Sequence, residues 1–166
     1  MNDDMINLSR QRAEEYFNSG LHCAESIVMA IARSHSIESM IVPKAATAFG
    51  SGLARTCDIC GALTGAIMSI SMLWGRSEST ESFEKTYSAT QRIIQEFEQE
   101  FGSRNCKTLL GCDLSTMEGE IKFIDQKLYL QCAMYTARAS EIAARILNEH
   151  SYCQLIGIVP NTTSSP

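Results

Sequence analysis

Near the middle of the chain stands the stretch Cys57-Asp58-Ile59-Cys60-Gly61-Ala62-Leu63-Thr64-Gly65, in which a close cysteine pair runs into small and apolar residues. Two cysteines separated by two residues can share a metal ion or close a small disulfide. If the pair stands at the start of a helix, free backbone N–H groups and the helix dipole stabilise a thiolate. Cys57 and Cys60 are therefore predicted to be the catalytic residues of a redox or metal site, with inert structural thiols as the alternative.

The bulk composition indicates a globular protein. The chain has 166 residues, of which 45% are apolar and 20% charged, and a net charge of −5. This length suits one domain, and the negative charge without any basic run predicts no nucleic-acid partner. The longest apolar stretch, residues 61–74, would span only about 21 Å as a helix, less than the roughly 30 Å of a bilayer core. With no secretory signal in the acidic N-terminus, we expect no membrane partner and a cytoplasmic location.

Seven cysteines are many for this length, and their odd number disfavours a secreted disulfide framework. In a reducing compartment, such cysteine usage indicates metal binding, redox chemistry or simple burial. The spacings match neither a zinc ribbon nor a ferredoxin run, so any shared site has to be assembled by the fold.

Apolar residues recur at intervals of three and four, while alternation at period two is almost absent. This pattern predicts an all-α fold, a single-domain helical bundle of about five to six helices over residues 1–155, with a flexible tail at 156–166. A glycine turn at Phe49–Gly52 ends one helix, and the spacing of Ser115 and Glu118 is typical of a capping box. The predicted helices are Asn7–Phe17, Leu21–Ser34, Lys44–Phe49, Cys60–Trp74, Phe83–Phe101 and Asp125–Glu149, with a short helical turn that carries Cys106.

The helix over Phe83–Phe101 has the clearest apolar pattern. Its large side chains alternate at four and three residues, which predicts either a core face or a helix–helix interface. If the face is intermolecular, a homodimer is the simplest partner. The residues of this stripe are Phe83, Tyr87, Thr90, Ile94, Phe97 and Phe101.

The remaining cysteines are less informative one at a time. Cys23 falls on a predicted inner helix face with Ile27 and Ile31, and Cys132 falls on one with Ile142 and Ile146. On such faces a buried small hydrophobe is the simpler interpretation of a cysteine. Cys112 is either a partner for Cys106 or an exposed thiol, and Cys153 is interpreted as incidental. His22, beside Cys23, is interpreted as an exposed residue at a helix start rather than a ligand.

Five segments together resemble a family of proteins described as putative redox-active and named for cysteines around a Gly-Cys-Ala-x-x-Gly motif. The resemblance covers about Tyr16–Ile146. Members of that family are small, all-helical prokaryotic proteins without an assigned reaction. A similar domain occurs beside haem-binding segments in split-Soret cytochromes, where it is associated with an iron–sulfur centre. The segments are His22–Ala24, Phe49–Gly52, Cys60–Ala66, Cys106 with Leu109–Gly111, and Cys132.

The resemblance implies a set of metal ligands. The recurrent family cysteines match Cys23, Cys60, Cys106 and Cys132, whereas the other three cysteines are additions. Thiolates in this number suit an iron–sulfur cluster or zinc. The chain lacks a Cys-x-x-Cys-His motif, so covalent c-type haem is not expected. Its Gly50–Gly52 turn is also less rich in glycine than the family pattern.

Three hypotheses follow from the sequence. The first is an electron-transfer protein that binds an iron–sulfur centre or another thiolate-ligated metal and works with an unknown electron-transfer partner. The second is a metal-free thiol–disulfide oxidoreductase that uses Cys57 and Cys60. The third is a helical interaction module, in its simplest form a homodimer, whose cysteines only pack.

Overall fold

The computed structural model describes residues 2–155, and the side chains of residues 3–149. All regular elements in this range are helical, and extended backbone pairs there only in an isolated antiparallel bridge between Ile59 and Asn105. The prediction of an all-α fold is confirmed. The side chain of Cys153 and the predicted tail at 156–166 lie outside the described residues.

Five long helices form the bundle, and short segments connect them. The five are α1, α2, α5, α6 and α9, each of twelve or more residues. The short segments add to the five to six helices that were predicted. In the described range, no helix combines the length and apolar character needed to cross a bilayer. The elements in chain order are α1 (Asn2–Asn18), α2 (Cys23–Ser34), α3 (Ile41–Ala46), a 3-10 turn (Thr47–Phe49), α4 (Gly50–Ala54), α5 (Gly61–Trp74), α6 (Glu84–Phe101), α7 (Cys106–Leu110), α8 (Met117–Asp125) and α9 (Tyr129–Leu155).

Several predicted helix starts are wrong. The first helix begins at Asn2 rather than Asn7, and the third begins at Ile41 rather than Lys44. The capping residue of α8 is Thr116, whose side-chain oxygen accepts a hydrogen bond from the N–H of Gly119 at 3.0 Å. Ser115 instead donates to the side chain of Asp113. The last helix begins at Tyr129 rather than Asp125, because α8 ends there and the positive φ of Lys127 turns the chain.

The core lies between α1, α2, α5 and α9. The predicted inner face of α2 is confirmed, with Ile27 and Ile31 fully buried. Small residues bring α5 close to α2, since a Cβ on Gly65 would stand 2.8 Å from the Cα of Ala24. This contact between backbones fixes the start of α5 beside the start of α2, and so positions the first residues of both helices.

The buried face of α6 differs from the predicted stripe. Its buried residues are Thr86, Ala89, Ile93 and Phe97, whereas Tyr87 is 58% exposed. The small side chains of Thr86 and Ala89 therefore face the core at the end of α6 where the predicted stripe had the large side chains of Phe83 and Tyr87. Phe97 is fully buried, so the predicted core role is confirmed for this residue.

Candidate functional site

A partly enclosed cavity of about 430 Å³ lies where the first turns of several helices meet. Its volume falls in the range typical of small-ligand sites, roughly 300–1,000 Å³. Cys23 opens α2, Cys60 precedes α5, Cys106 opens α7 and Cys132 stands in the first turn of α9. All four line this cavity, which we call the thiol cavity. The structure thus brings together the four cysteines that the resemblance implied.

The glycine turn beside the cavity is a left-handed helical turn. Every residue from Ser51 to Arg55 has a positive φ, with values between 51° and 69°. Residues other than glycine adopt this conformation at a cost of about 1–2 kcal/mol each. A Cβ on Gly52 would stand 2.6 Å from the Cβ of Cys106 and 3.0 Å from its Sγ. The turn therefore packs directly on Cys106, and only glycine fits at position 52.

Backbone hydrogen bonds join the cysteine-pair segment to the start of α7. The N–H of Cys60 donates to the carbonyl of Arg104 at 2.8 Å, and the N–H of Cys106 donates to the carbonyl of Asp58 at 2.7 Å. These bonds run in both directions between the two segments. They hold Cys60 and Cys106 side by side at the cavity wall.

Burial and neighbouring thiols set the acidity of the site. Burial, followed by the charge of Cys23, raises the pKa of Cys60 to about 12. Burial also raises the pKa of Cys106, and the nearby thiols of Cys60 and Cys57 add to this effect. A hydrogen bond between the side chains of Cys23 and Cys132 lowers the pKa of Cys23 and raises that of Cys132. At neutral pH, Cys60, Cys106 and Cys132 therefore hold their protons, and Cys23 is the cavity sulfur that most readily carries negative charge.

Thr136 adds a polar group behind Cys23. Its hydroxyl is fully buried and has no hydrogen-bond partner of ordinary length among the described residues. It lies near enough to the Cys23 sulfur to contribute to the lowered pKa of that thiol. An O–H group in this position can donate to a thiolate.

Several residues that line the cavity were not predicted as functional. Tyr135 follows Cys132 by three residues on α9, and its hydroxyl donates to the carbonyl of Leu109 at 3.3 Å. Burial, then the nearby Cys60, raises the pKa of Tyr135. Arg55 and Glu120 form an ion pair at 2.7 Å that links α4 to α8 beside the cavity. The three-residue spacing of Tyr135 from Cys132 was the sequence signal that could have placed Tyr135 in the site. The Arg55–Glu120 ion pair joins residues 65 positions apart, so nothing in the sequence indicated it.

The other candidate residues lie around the cavity rather than in its wall. Cys57 is buried but does not line the cavity, and its Sγ accepts a hydrogen bond from the N–H of Leu114 at 3.0 Å. The structure thus places Cys57 and Cys60 in different surroundings. Cys112 is 6% exposed, so the alternative of an exposed thiol is wrong. His22 is exposed at the cavity rim, as predicted.

The described side chains include no group of three or more His, Cys, Asp or Glu that is placed to hold a metal ion. What the geometry provides is a wider space whose wall includes all four cysteines.

The comparisons with known proteins agree with the resemblance seen in the sequence. The family model described as "Putative redox-active protein (C_GCAxxG_C_C)" matches residues 21–146. No curated protein and no solved structure matches the chain. The matched residues include all four cysteines of the thiol cavity and the left-handed turn beside it. The chain belongs to the C_GCAxxG_C_C family of putative redox-active proteins.

Proposed function

We propose that this protein is an electron-transfer protein in which Cys23, Cys60, Cys106 and Cys132 ligate an iron–sulfur centre. The observation that carries the proposal is the convergence of these four cysteines, from four separated segments, on one cavity. Four cysteine thiolates are the usual ligand set of iron–sulfur clusters.

The electrostatics of the cavity favour the binding of a positively charged group. Ionising several buried thiols side by side is unfavourable, which the raised pKa values of Cys60, Cys106 and Cys132 express. Bound metal offsets this cost because it replaces the protons as the positive partner of the sulfurs. The unpartnered hydroxyl of Thr136 adds a donor to the Cys23 sulfur, and hydrogen bonds to ligating sulfurs tune the potential of such centres.

The shape of the cavity favours a cluster over a single ion. A zinc ion needs its four ligands gathered closely around one point. A cluster contains several metal and sulfide atoms, so its ligands surround a larger volume. The cavity of about 430 Å³ supplies that volume.

The protein residues would bind and shield the centre. Gly52 and the left-handed turn fix the position of Cys106, and the paired backbone segments fix Cys60 beside it. Apolar side chains on the cavity wall, Leu109, Leu114 and Phe123, reduce the access of water. When bound, an iron–sulfur centre supplies one-electron oxidation and reduction.

The test is anaerobic purification of the full chain, followed by assays for iron, acid-labile sulfide and zinc. We expect iron and sulfide in the unmodified protein and the loss of both in Cys106→Ser. Cys112→Ser is the matched control, because this thiol is equally buried but does not line the cavity. Zinc in place of iron, or a metal-free protein whose thiols are all titratable, would overturn the proposal.

The hydrogen bond between Cys23 and Cys132 favours a second candidate, metal-free thiol–disulfide exchange. The Cys23 thiolate would attack a substrate disulfide and release one thiol, and Cys132 would then attack the mixed disulfide and release the second. Two electrons pass to the substrate, and a Cys23–Cys132 disulfide remains. In this role the geometry favours Cys23 and Cys132 over the predicted pair Cys57 and Cys60. A reversible two-electron potential that is lost in Cys132→Ser, in protein without metal, would support this candidate.

The interaction-module hypothesis receives less support from the geometry. The helix face that was its best interface candidate contains Phe97, which is fully buried within one chain. A homodimer through another surface stays a prediction.

A further inference from the structure

A second pair of buried cysteines lies next to the thiol cavity. Cys57 is 4% exposed and Cys112 is 6% exposed, and neither lines the cavity. The family motif does not include them, and the function proposed above does not use them. They are nevertheless not scattered through the core, because the segment that carries Cys112 folds directly onto Cys57.

The first contact is a hydrogen bond to the sulfur itself. The N–H of Leu114, two residues after Cys112, donates to the Sγ of Cys57 at 3.0 Å. The carbonyl of Cys57 in turn accepts from the N–H of Lys107 at 3.3 Å. Cys57 is thereby held from both sides, by the start of α7 and by the turn that follows it.

The turn that carries Cys112 is itself fixed. Lys107 pairs with Asp113 at 2.8 Å, and the ammonium group of Lys122 donates to the carbonyl of Gly111 at 2.8 Å. The residues on both sides of Cys112 are therefore anchored, which fixes the backbone of this turn next to the segment that carries Cys57.

The acidity of the thiols agrees with this arrangement. Burial raises the pKa of Cys112, and the nearby Cys57 is the next largest cause. Cys106 senses both groups of sulfurs, since Cys60, Cys57, Cys23 and Cys112 all contribute to its raised pKa after burial. Cys106 thus lies near the cavity thiols and near this second pair.

We propose that Cys57 and Cys112 form a second dithiol site, which a low-molecular-weight disulfide oxidises to an intramolecular disulfide. One cysteine attacks the small disulfide and releases one thiol; the other then attacks the mixed disulfide and releases the second thiol. The two cysteines lose two electrons and two protons, and the small disulfide gains both. The site does not depend on what the thiol cavity binds. Its oxidation reaches the cavity wall through Leu114, which lines the cavity and donates to Cys57.

The experiment uses the full chain with oxidised glutathione as the probe, followed by alkylation of the remaining thiols and tryptic peptide mapping. Trypsin cuts after Lys and Arg, so Cys57 and Cys60 fall in peptide 56–76 and Cys112 falls in peptide 108–122. We expect a disulfide between these two peptides, which persists in Cys60→Ser. A disulfide inside peptide 56–76, or a peptide 108–122 that stays fully alkylated, would overturn the proposal.

Variants test whether the Cys57–Cys112 disulfide is independent of the thiol cavity. Cys112→Ser should reduce the cross-linked peptide to background, while Cys153→Ser should leave it unchanged. The iron and sulfide content of Cys57→Ser should equal that of the unmodified protein, and a loss of iron there would place Cys57 among the cavity ligands instead. Peptide mapping of the unmodified chain requires neither a folded variant nor bound metal. It therefore tests the Cys57–Cys112 disulfide even if the protein binds no iron–sulfur centre.

Discussion

The contact between α6 and α9 and the region around the thiol cavity hold the same bundle together in different ways. Between α6 and α9, regular helices bury Phe97 and carry arginine–glutamate pairs at the surface, such as Arg138 with Glu100 at 2.7 Å. Around the cavity, a left-handed turn and short helices position thiols whose ionisation burial disfavours. The comparison indicates that stability comes from the regular region and that the cavity region costs stability in order to place sulfur.

The largest expected effect is in the regular region. Phe97→Ala should lower the free energy of unfolding by about 3–5 kcal/mol, because it leaves a cavity in the core. Phe83→Ala is the control, since this side chain is 38% exposed and lies outside the buried face. Denaturant titration of both variants measures the difference, and equal losses would contradict the buried face described for α6.

The pH dependence should come mainly from the cavity. The pKa of Cys60 is about 12 in the folded protein against an ordinary value of 9.0, so between these values the unfolded chain releases a proton that the folded chain keeps. The contribution is fully present below pH 9.0 and is lost as the pH rises toward 12. In metal-free protein, stability should fall over this window by at most about 4 kcal/mol. Denaturation series should show a shallower fall in Cys60→Ala, and identical slopes would count against the assignment.

The next expected effect is smaller, and it distinguishes the cost of a positive φ from the cost of a steric clash with Cys106. Gly52→Ala should destabilise the protein by about 2–3 kcal/mol, because the new methyl group meets Cys106 and the residue keeps a positive φ. Gly111→Ala is the matched control, with a similar φ of +63° and no atom within 4 Å of the added Cβ, and should cost about 1 kcal/mol. Thermal unfolding compares the two. If both variants lose the same amount, the left-handed turn does not press on Cys106.

The smallest effect belongs to the surface pairs. Arg138→Gln removes contacts to Glu100 and Glu141 but should cost less than about 1 kcal/mol, since all three side chains are partly exposed. The difference from the unmodified protein should shrink further near 1 M salt, where the screening length is about 3 Å. A loss of stability that exceeds that of Phe97→Ala and does not depend on salt would mean that these ion pairs stabilise the bundle more than Phe97 does.

Much of the regular region could be predicted from the sequence. Apolar spacing on α2 and α9 placed Ile27 and Ile142 in the core, where both are buried. The same reasoning was wrong for the buried face of α6, because it weighed the large aromatic residues and ignored Ala89 and Thr86. Tyr87 is large and apolar enough to join the stripe, but its side chain is mostly exposed.

Only individual features of the cavity region could be predicted from the sequence. The sequence indicated a glycine turn near position 50, but not that Leu53 and Ala54 would share its left-handed conformation, which neither residue prefers. The burial of Cys112 depends on anchors at Asp113 and Gly111 that contact Lys107 and Lys122. Such contacts, each made by a single lysine side chain, leave no periodic signal in the sequence.

By itself, the sequence determined that the chain is helical and that cysteines stand at or near the starts of several helices, because these features depend on local spacing. The tertiary structure alone decided which thiols meet. Gly65 lets α5 approach α2 and the left-handed turn presses on Cys106, so that Cys23, Cys60 and Cys106 face one cavity while Cys57 does not. The physical reason is that convergence of distant side chains depends on how helices cross, which is set by packing between segments rather than within them.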